Sequence, residues 1–184
     1  MGGILSSLLG FWYNKEYKVL MVGLDNAGKT TILYKLSLGE VVVSQATVGS
    51  NVELVKYKNI QLEIWDLGGQ QSLRPFWATY YKGADAVVMV VDSTDRARVS
   101  IAKGELFTLL ENEDLAKVPI LVIANKQDLR DAMGVEELTT SLSLHSIKNH
   151  DWHIQACCAV IGTGLLESLA WIHQRTKSGS VAGS

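Results

Sequence analysis

Gly23-Leu24-Asp25-Asn26-Ala27-Gly28-Lys29-Thr30 places two glycines, a lysine and a hydroxyl at the spacing G-x-x-x-x-G-K-[ST]. The chemistry this spacing serves is the capture of a polyphosphate. Glycines let the backbone fold tightly enough for successive N–H groups to point at phosphate oxygens, and a following helix adds its positive N-terminus. Lys29 is placed to reach the β- and γ-phosphates and Thr30 to ligate Mg²⁺, with Thr31 next in the phosphate-binding stretch. An ordinary Gly-rich turn would look similar in isolation. Here an apolar run precedes the loop and a helical pattern follows it, as phosphate binding requires. The loop does not choose a base, because kinases and ATPases use it too.

Asn125-Lys126-Gln127-Asp128 can make that choice. An aspartate at Asp128 accepts hydrogen bonds from the N1–H and the 2-amino group of guanine. Adenine offers neither donor, and sites built this way discriminate by about 10⁴-fold or more. The stem of Lys126 can lie along the base. Further on, Cys158-Ala159 offers the Ala159 N–H to the guanine O6. A kinase or ATPase would leave residues 125–128 without a role, so GTP or GDP is the expected ligand.

Trp65-Asp66-Leu67-Gly68-Gly69-Gln70 carries the groups a switch would need. Asp66 is expected to hold the Mg²⁺ shell through water and the Gly69 N–H to meet the γ-phosphate. Gln70 is the candidate to orient the attacking water. Thr47 lies upstream, placed to cap the Mg²⁺ when GTP is bound. No arginine stands in an obvious catalytic position. Arg74 falls in a stretch expected to be helical and to make a surface ion pair, and Arg96 and Arg98 are expected to be solvated. Hydrolysis should then be slow and need a GTPase-activating protein. A scaffold that holds GTP without cycling competes with this reading; Gln70 and Thr47 stand against it, while Ala46 and Gln71 leave it open.

The elements that must position these groups alternate. Residues 18–22, 86–91 and 120–124 are continuous apolar runs, which fit strands buried on both faces. Residues 51–57 and 60–65 flank Lys58-Asn59 as a hairpin, and 152–157 form a last strand. Helical patterns occupy 29–38, 99–112, 135–142 and 165–176. Together they predict an α/β fold of three layers: a six-stranded, mostly parallel sheet with one antiparallel edge strand and helices on both faces. In such sheets ligands bind at the carboxyl ends of the strands, where the motifs above fall. The expected division is an N-terminal segment 1–16, a nucleotide-binding domain 17–176 and a disordered tail 177–184.

Bulk properties exclude several classes. The 184 residues suit one domain, and a net charge of -2 argues against a nucleic-acid partner. Cys157 and Cys158 are neighbours and are read as reduced thiols of a cytosolic protein. No apolar run approaches the length of a membrane span, and no cysteine near the end offers a prenylation site.

The motifs at 23–30, 65–70 and 125–128, with Asp92-Ser93-Thr94-Asp95-Arg96, together resemble the Arf and Arf-like branch of small GTPases. The resemblance implies GTP/GDP cycling with Mg²⁺, an exchange factor, an activating protein and effectors, in a monomer that regulates membrane traffic. Most of that family carries an aromatic where Ser50 stands, completing an effector surface with Trp65 and Tyr80. Ser50, together with the 146–148 and 152–158 stretches, is similar to the fifth Arf-like subgroup. That similarity implies a peripheral protein of the cytoplasmic face of the Golgi or trans-Golgi that works with vesicle tethers. Ala46 replaces the family's usual proline, Val160 its usual threonine or leucine, and Gln71 a common acid.

Met1-Gly2-Gly3-Ile4-Leu5-Ser6 fits the myristoylation pattern with Gly2 as acceptor. Ile4, Leu5, Leu8, Leu9 and Trp12 would share one helical face. A single myristoyl chain binds membrane marginally, so chain and helix together suit reversible attachment. Following the family, the helix is expected to pack on the domain with GDP and to be freed for the membrane by GTP.

Overall fold

The strands of this protein are dictated by two interleaved apolar sets. In the computed structural model, which describes residues 15–38 and 49–181 and side chains as far as 176, β1 (Lys15–Val22), β4 (Ala86–Asp92) and β5 (Ile120–Asn125) form the centre of the sheet. Leu20, Val22, Val87, Met89, Ile120 and Val122 point to one face, where they meet Ala102, Leu106 and Leu109 of α2 (Val99–Leu110) and Leu138 of α3 (Val135–Ser141). The alternate residues Val19, Met21, Val88, Val90, Leu121 and Ile123 meet Ile32 and Leu33 of α1 (Lys29–Leu38) and Leu165, Leu169 and Ile172 of α4 (Leu165–Val181). A strand with both faces covered must be apolar throughout, which is why these runs lack polar alternation.

The sheet order is β2-β3-β1-β4-β5-β6, with β2 (Ser50–Tyr57), β3 (Ile60–Leu67) and β6 (Trp152–Ala156) completing it. β2 runs antiparallel to β3, and the other neighbours are parallel. This is the expected three-layer α/β architecture. Lys58 turns the hairpin with φ 51°, so the turn forms without the glycine that favours it.

Element ends depart from the sequence expectation in ways that matter for the site. β1 includes Lys15 and Glu16 because they pair with Ile60 and Gln61, and Gln61 Nε2 donates to Glu16 Oε1 at 2.8 Å. β3 runs on to Leu67, so Asp66 lies inside a strand, opposite Asn51. Residues 74–80 form a 3-10 stretch with Pro75 in its first turn. α4 continues to Val181, past the expected end at 176; once its earlier turns are packed, adding residues costs little. Gly2 and the N-terminal segment, Ala46 and Thr47, and the last residues 182–184 lie outside the described residues.

Gly164 starts α4 at φ +80°, and a Cβ there would lie 2.1 Å from the Ala156 carbonyl oxygen. Gly83 has a similar φ of +76° in open space. Gly83→Ala should therefore cost about 1 kcal/mol and Gly164→Ala about 3 kcal/mol or more. Denaturant unfolding of both variants checks the difference; equal losses would mean that the contact with Ala156 relaxes freely.

Candidate functional site

The loop at 23–28 leaves β1 at Gly23 and enters α1 at Lys29. Its path needs glycine twice. Gly23 has φ +145° and abuts Val90, whose carbonyl oxygen would lie 2.2 Å from a Cβ; Gly28 has φ +96° and would put a Cβ 2.3 Å from Asn125 Nδ2. The loop folds over Lys29, whose Nζ donates to the Gly23 carbonyl at 2.9 Å and the Leu24 carbonyl at 3.0 Å. Burial pushes the Lys29 amine down to about 8, with Asp66 and then Asp25 opposing the shift. A nearby polyanion would restore its charge.

Thr30 Oγ1 donates to Asp66 Oδ2, and Asp66 is fully buried. A hydroxyl and a carboxylate oxygen side by side are a hard donor set. Mg²⁺ takes one or two carboxylates plus waters and phosphates rather than a full protein cage.

The loops after β4, β5 and β6 close on the same end of the sheet. Asn125, 2% exposed, donates from Nδ2 to the Ala27 carbonyl at 2.9 Å and accepts from the Ala159 N–H at 3.0 Å through Oδ1. The Ala159 N–H expected at the guanine O6 is thus engaged by Asn125 in this structure. Lys126 Nζ donates to the Asn26 carbonyl at 2.7 Å and Asp92 Oδ2 at 2.6 Å, so its stem spans from β5 to the phosphate loop. Burial raises the Asp92 carboxyl, but hydrogen bonds from Lys126 and Thr94 outweigh it and hold the carboxyl below its usual value. Asp128 is exposed, and its Oδ1 accepts from the Cys158 thiol at 3.2 Å. Cys157 beside it is buried, and its thiol is pushed up to about 12.

On the other side of the loop, Gly69 lies against it. A Cβ on Gly69 would fall 2.4 Å from the Gly23 carbonyl oxygen and 2.5 Å from the Asp25 nitrogen, and the Asp25 N–H donates to the Gly69 carbonyl at 3.1 Å. Trp77 Nε1 donates to the Gly68 carbonyl at 2.8 Å. The Gln70 side chain is exposed, while its carbonyl accepts from the Leu73 and Arg74 N–H groups. Trp65 and Tyr80 meet with ring centroids 5.6 Å apart, and Ser50 is exposed at the start of β2.

Two arginines depart from expectation. The Arg74 side chain is 9% exposed and bonds the Gly69 carbonyl and Glu105, whose side chain is 26% exposed, so the pair is half-buried rather than fully on the surface. Arg98 is not merely solvated: Nη1 donates to Asp25 Oδ1 at 2.8 Å and Nε to Asp95 Oδ2 at 2.6 Å. The sequence pattern assigns no contact to Arg98, Glu105 or Asp92. Asp92 alone carries a signal, its position at the carboxyl end of a strand.

These contacts bring all the described motifs to one edge of the sheet. Comparison with known proteins gives that edge a family. The model of the ADP-ribosylation factor family matches residues 1–176. The chain belongs to that family. Among its relatives, ADP-ribosylation factor-like protein 5 of Dictyostelium discoideum is 57% identical over 176 residues, covering 94% of this chain and 96% of the relative. Human ADP-ribosylation factor-like protein 5A is 50% identical over 177 residues, covering 96% and 99%. A solved Arl6 (BBS3) small GTPase of Trypanosoma brucei, holding the nucleotide analogue GppNp, superposes with a TM-score of 0.83 at 35% identity, covering 89% of this chain and 99% of that one. This Arf-family chain is accordingly a small GTPase, a GTP- and GDP-binding switch that hydrolyses GTP.

With its amine lowered by burial to about 8, Lys29 is half neutral at pH 8 unless a polyanion stands beside it. Phosphates favour its charged form, so GDP binding at that pH should take up about half a proton, shrinking towards pH 7. Calorimetric titration in two buffers of different ionisation enthalpy measures it. Heats that do not depend on the buffer would mean Lys29 is already charged.

Proposed function

We propose that this Arf-family GTPase is an Arf-like switch that binds membrane reversibly and recruits effectors in vesicle traffic, at the cytoplasmic face of the Golgi. The observation that carries the nucleotide part is the Asn125 side chain, which ties the phosphate loop to the loop bearing Cys158 and Ala159. It holds the phosphate half and the base half of one site at a fixed separation.

In this reading Gly23 to Thr31 hold the phosphates, with Lys29 neutralising charge between β and γ. Thr30 and Asp66, the latter through water, would hold Mg²⁺, and Thr47 would add a ligand with GTP. The ion would neutralise charge on the β- and γ-phosphates. Asp128 reads the guanine N1–H and 2-amino group, with the Cys158 thiol already bonded to it. The stem of Lys126 lies along the base. For Ala159 to meet the guanine O6, its N–H must turn from Asn125 Oδ1 or share between the two acceptors. Gly69 meets the γ-phosphate and Gln70 orients water. With Arg74 bonded to Gly69 and Glu105 and Arg98 spent on Asp25, neither guanidinium is offered to the phosphates. Hydrolysis is then slow until a GTPase-activating protein contributes, and an exchange factor reloads the site.

Membrane attachment rests on Gly2 and the apolar positions of the N-terminal segment, and the Golgi assignment on the similarity to the Arf-like 5 proteins. Trp65 and Tyr80, which touch, together with the exposed Ser50 opposite Leu67 give an effector surface with a small polar residue in place of an aromatic one.

Affinities for GDP, GTP and ATP with Mg²⁺ test the nucleotide assignment. Asp128→Asn replaces one acceptor by a donor and should weaken GDP by about 10²-fold or more, while ATP binds neither form. ATP binding that ignores the substitution would overturn the guanine reading. For the membrane, full-length protein made with N-myristoyltransferase should float with liposomes in its GTP-loaded form. Gly2→Ala should abolish flotation, and undiminished flotation would remove lipidation from the account.

A further inference from the structure

Beside the phosphate loop, charged groups from three separate segments form one chain of contacts. Asp25 of the loop accepts from Arg98 at 2.8 Å and lies 3.8 Å from Arg74 Nη2. Arg74 belongs to the 3-10 stretch after β3. Its Nε donates to the Gly69 carbonyl at 2.9 Å, and its Nη1 donates to Glu105 Oε1 of α2 at 3.3 Å. The Gly69 carbonyl therefore has two donors, Arg74 Nε and the Asp25 N–H. Glu105 stands at the far end of this chain, on a helix that supplies none of the motif residues.

Gly69 is the point where this matters. Without a Cβ it fits against the loop, where any side chain would collide with Gly23 and Asp25. The same lack of a side chain leaves its φ and ψ weakly constrained. Its neighbours Gly68 and Gln70 are bonded by Trp77 and by the Leu73 and Arg74 N–H groups, and Gly69 itself is seated by the pair of hydrogen bonds on its carbonyl. One of these comes from a guanidinium whose direction is set by Glu105. With the carbonyl held, the Cα of Gly69 stays on the loop, and its N–H stays where a γ-phosphate would meet it.

We propose that Glu105 is a positioning residue for γ-phosphate recognition: by orienting Arg74 it seats Gly69 on the phosphate loop. The inference rests on the nucleotide reading above and deepens it. A nucleoside diphosphate has no γ-phosphate, so loss of Glu105 penalises triphosphate binding selectively. A guanidinium released from a half-buried charged hydrogen bond loses a fixed direction, an effect large enough to change affinity by about tenfold.

The test measures affinities of the full-length protein for GppNp and GDP with Mg²⁺, in wild type, Glu105→Ala and Glu105→Gln, alongside thermal midpoints. Glu105→Ala should weaken GppNp about tenfold and leave GDP within about twofold. Glu105→Gln keeps an oxygen acceptor for Arg74 and should recover GppNp to within about threefold of wild type. Adding Glu105→Ala to Arg74→Ala should cost GppNp nothing further, because the two act in series. Equal weakening of both nucleotides, an unchanged ratio, a glutamine variant no better than alanine, or additive losses in the double variant would each overturn the proposal. Failure of the wild type to bind either nucleotide would instead sink the guanine-switch reading itself, so the two failures are distinguishable.

Discussion

A buried primary amide holds this site together. Asn125 sits at the carboxyl end of β5 with its Nδ2 on the Ala27 carbonyl and its Oδ1 on the Ala159 N–H, and Gly28 packs against it too closely for any side chain. Each of its two bonds satisfies a backbone group in a buried place, where losing a partner costs about 1–3 kcal/mol. An amide is suited to this place because it donates and accepts at once, in a fixed plane. A carboxylate could not satisfy the Ala27 carbonyl, and an apolar residue could satisfy neither loop. The distance between the phosphate loop and the base loop is therefore set by one side chain whose own backbone is locked in the sheet.

The sheet makes that lock possible. β5 is buried on both faces along its whole length, and its neighbours β4 and β6 are parallel to it. Parallel pairing sends the loops after β1, β4, β5 and β6 to the same edge. There they cross-link: Lys126 reaches both Asn26 and Asp92, and Gln127 Nε2 reaches Ser93 Oγ at 2.8 Å. The base-side residues thus sit on a scaffold of short hydrogen bonds between loops that are distant in sequence.

Much of this arrangement is legible in the order of the residues. The runs at 86–91 and 120–124 can only be buried strands, and the spacing of Gly23, Gly28, Lys29 and Thr30 has few uses besides phosphate. Local pattern locates the strands, the loop and the tetrapeptide at 125–128. What stays hidden are partnerships across long separations. Arg98 is remote from Asp25 in sequence, and Arg74 from Glu105, and nothing in either neighbourhood announces the other. The contact between Ala159 and Asn125 is hidden for a related reason: a backbone N–H carries no sequence signal about which of two acceptors it will take. The onset of β1 at Lys15 escapes the pattern because its exposed charged residues look like loop, whereas pairing with β3 makes them strand.

The two sides of the site are held by different forces, and the difference suits a switch. The base side uses buried amides, backbone groups and an ion pair between Lys126 and Asp92, on loops anchored in the interior of the sheet. Breaking any of these leaves a polar group stranded, so this side resists rearrangement. The γ-phosphate side rests on Gly68 and Gly69, on carbonyls bonded by Trp77 and Arg74, and on Gln70 exposed to solvent. Glycine backbones accept new torsions at low cost, and a guanidinium can exchange one oxygen acceptor for another without being stranded. The hairpin that leads into this side lies at the edge of the sheet, where β3 is its one strand paired with β1. In the proposed function, a change at the γ-phosphate would then move the edge while the base stays in place, letting one site hold two nucleotides and present a different surface with each.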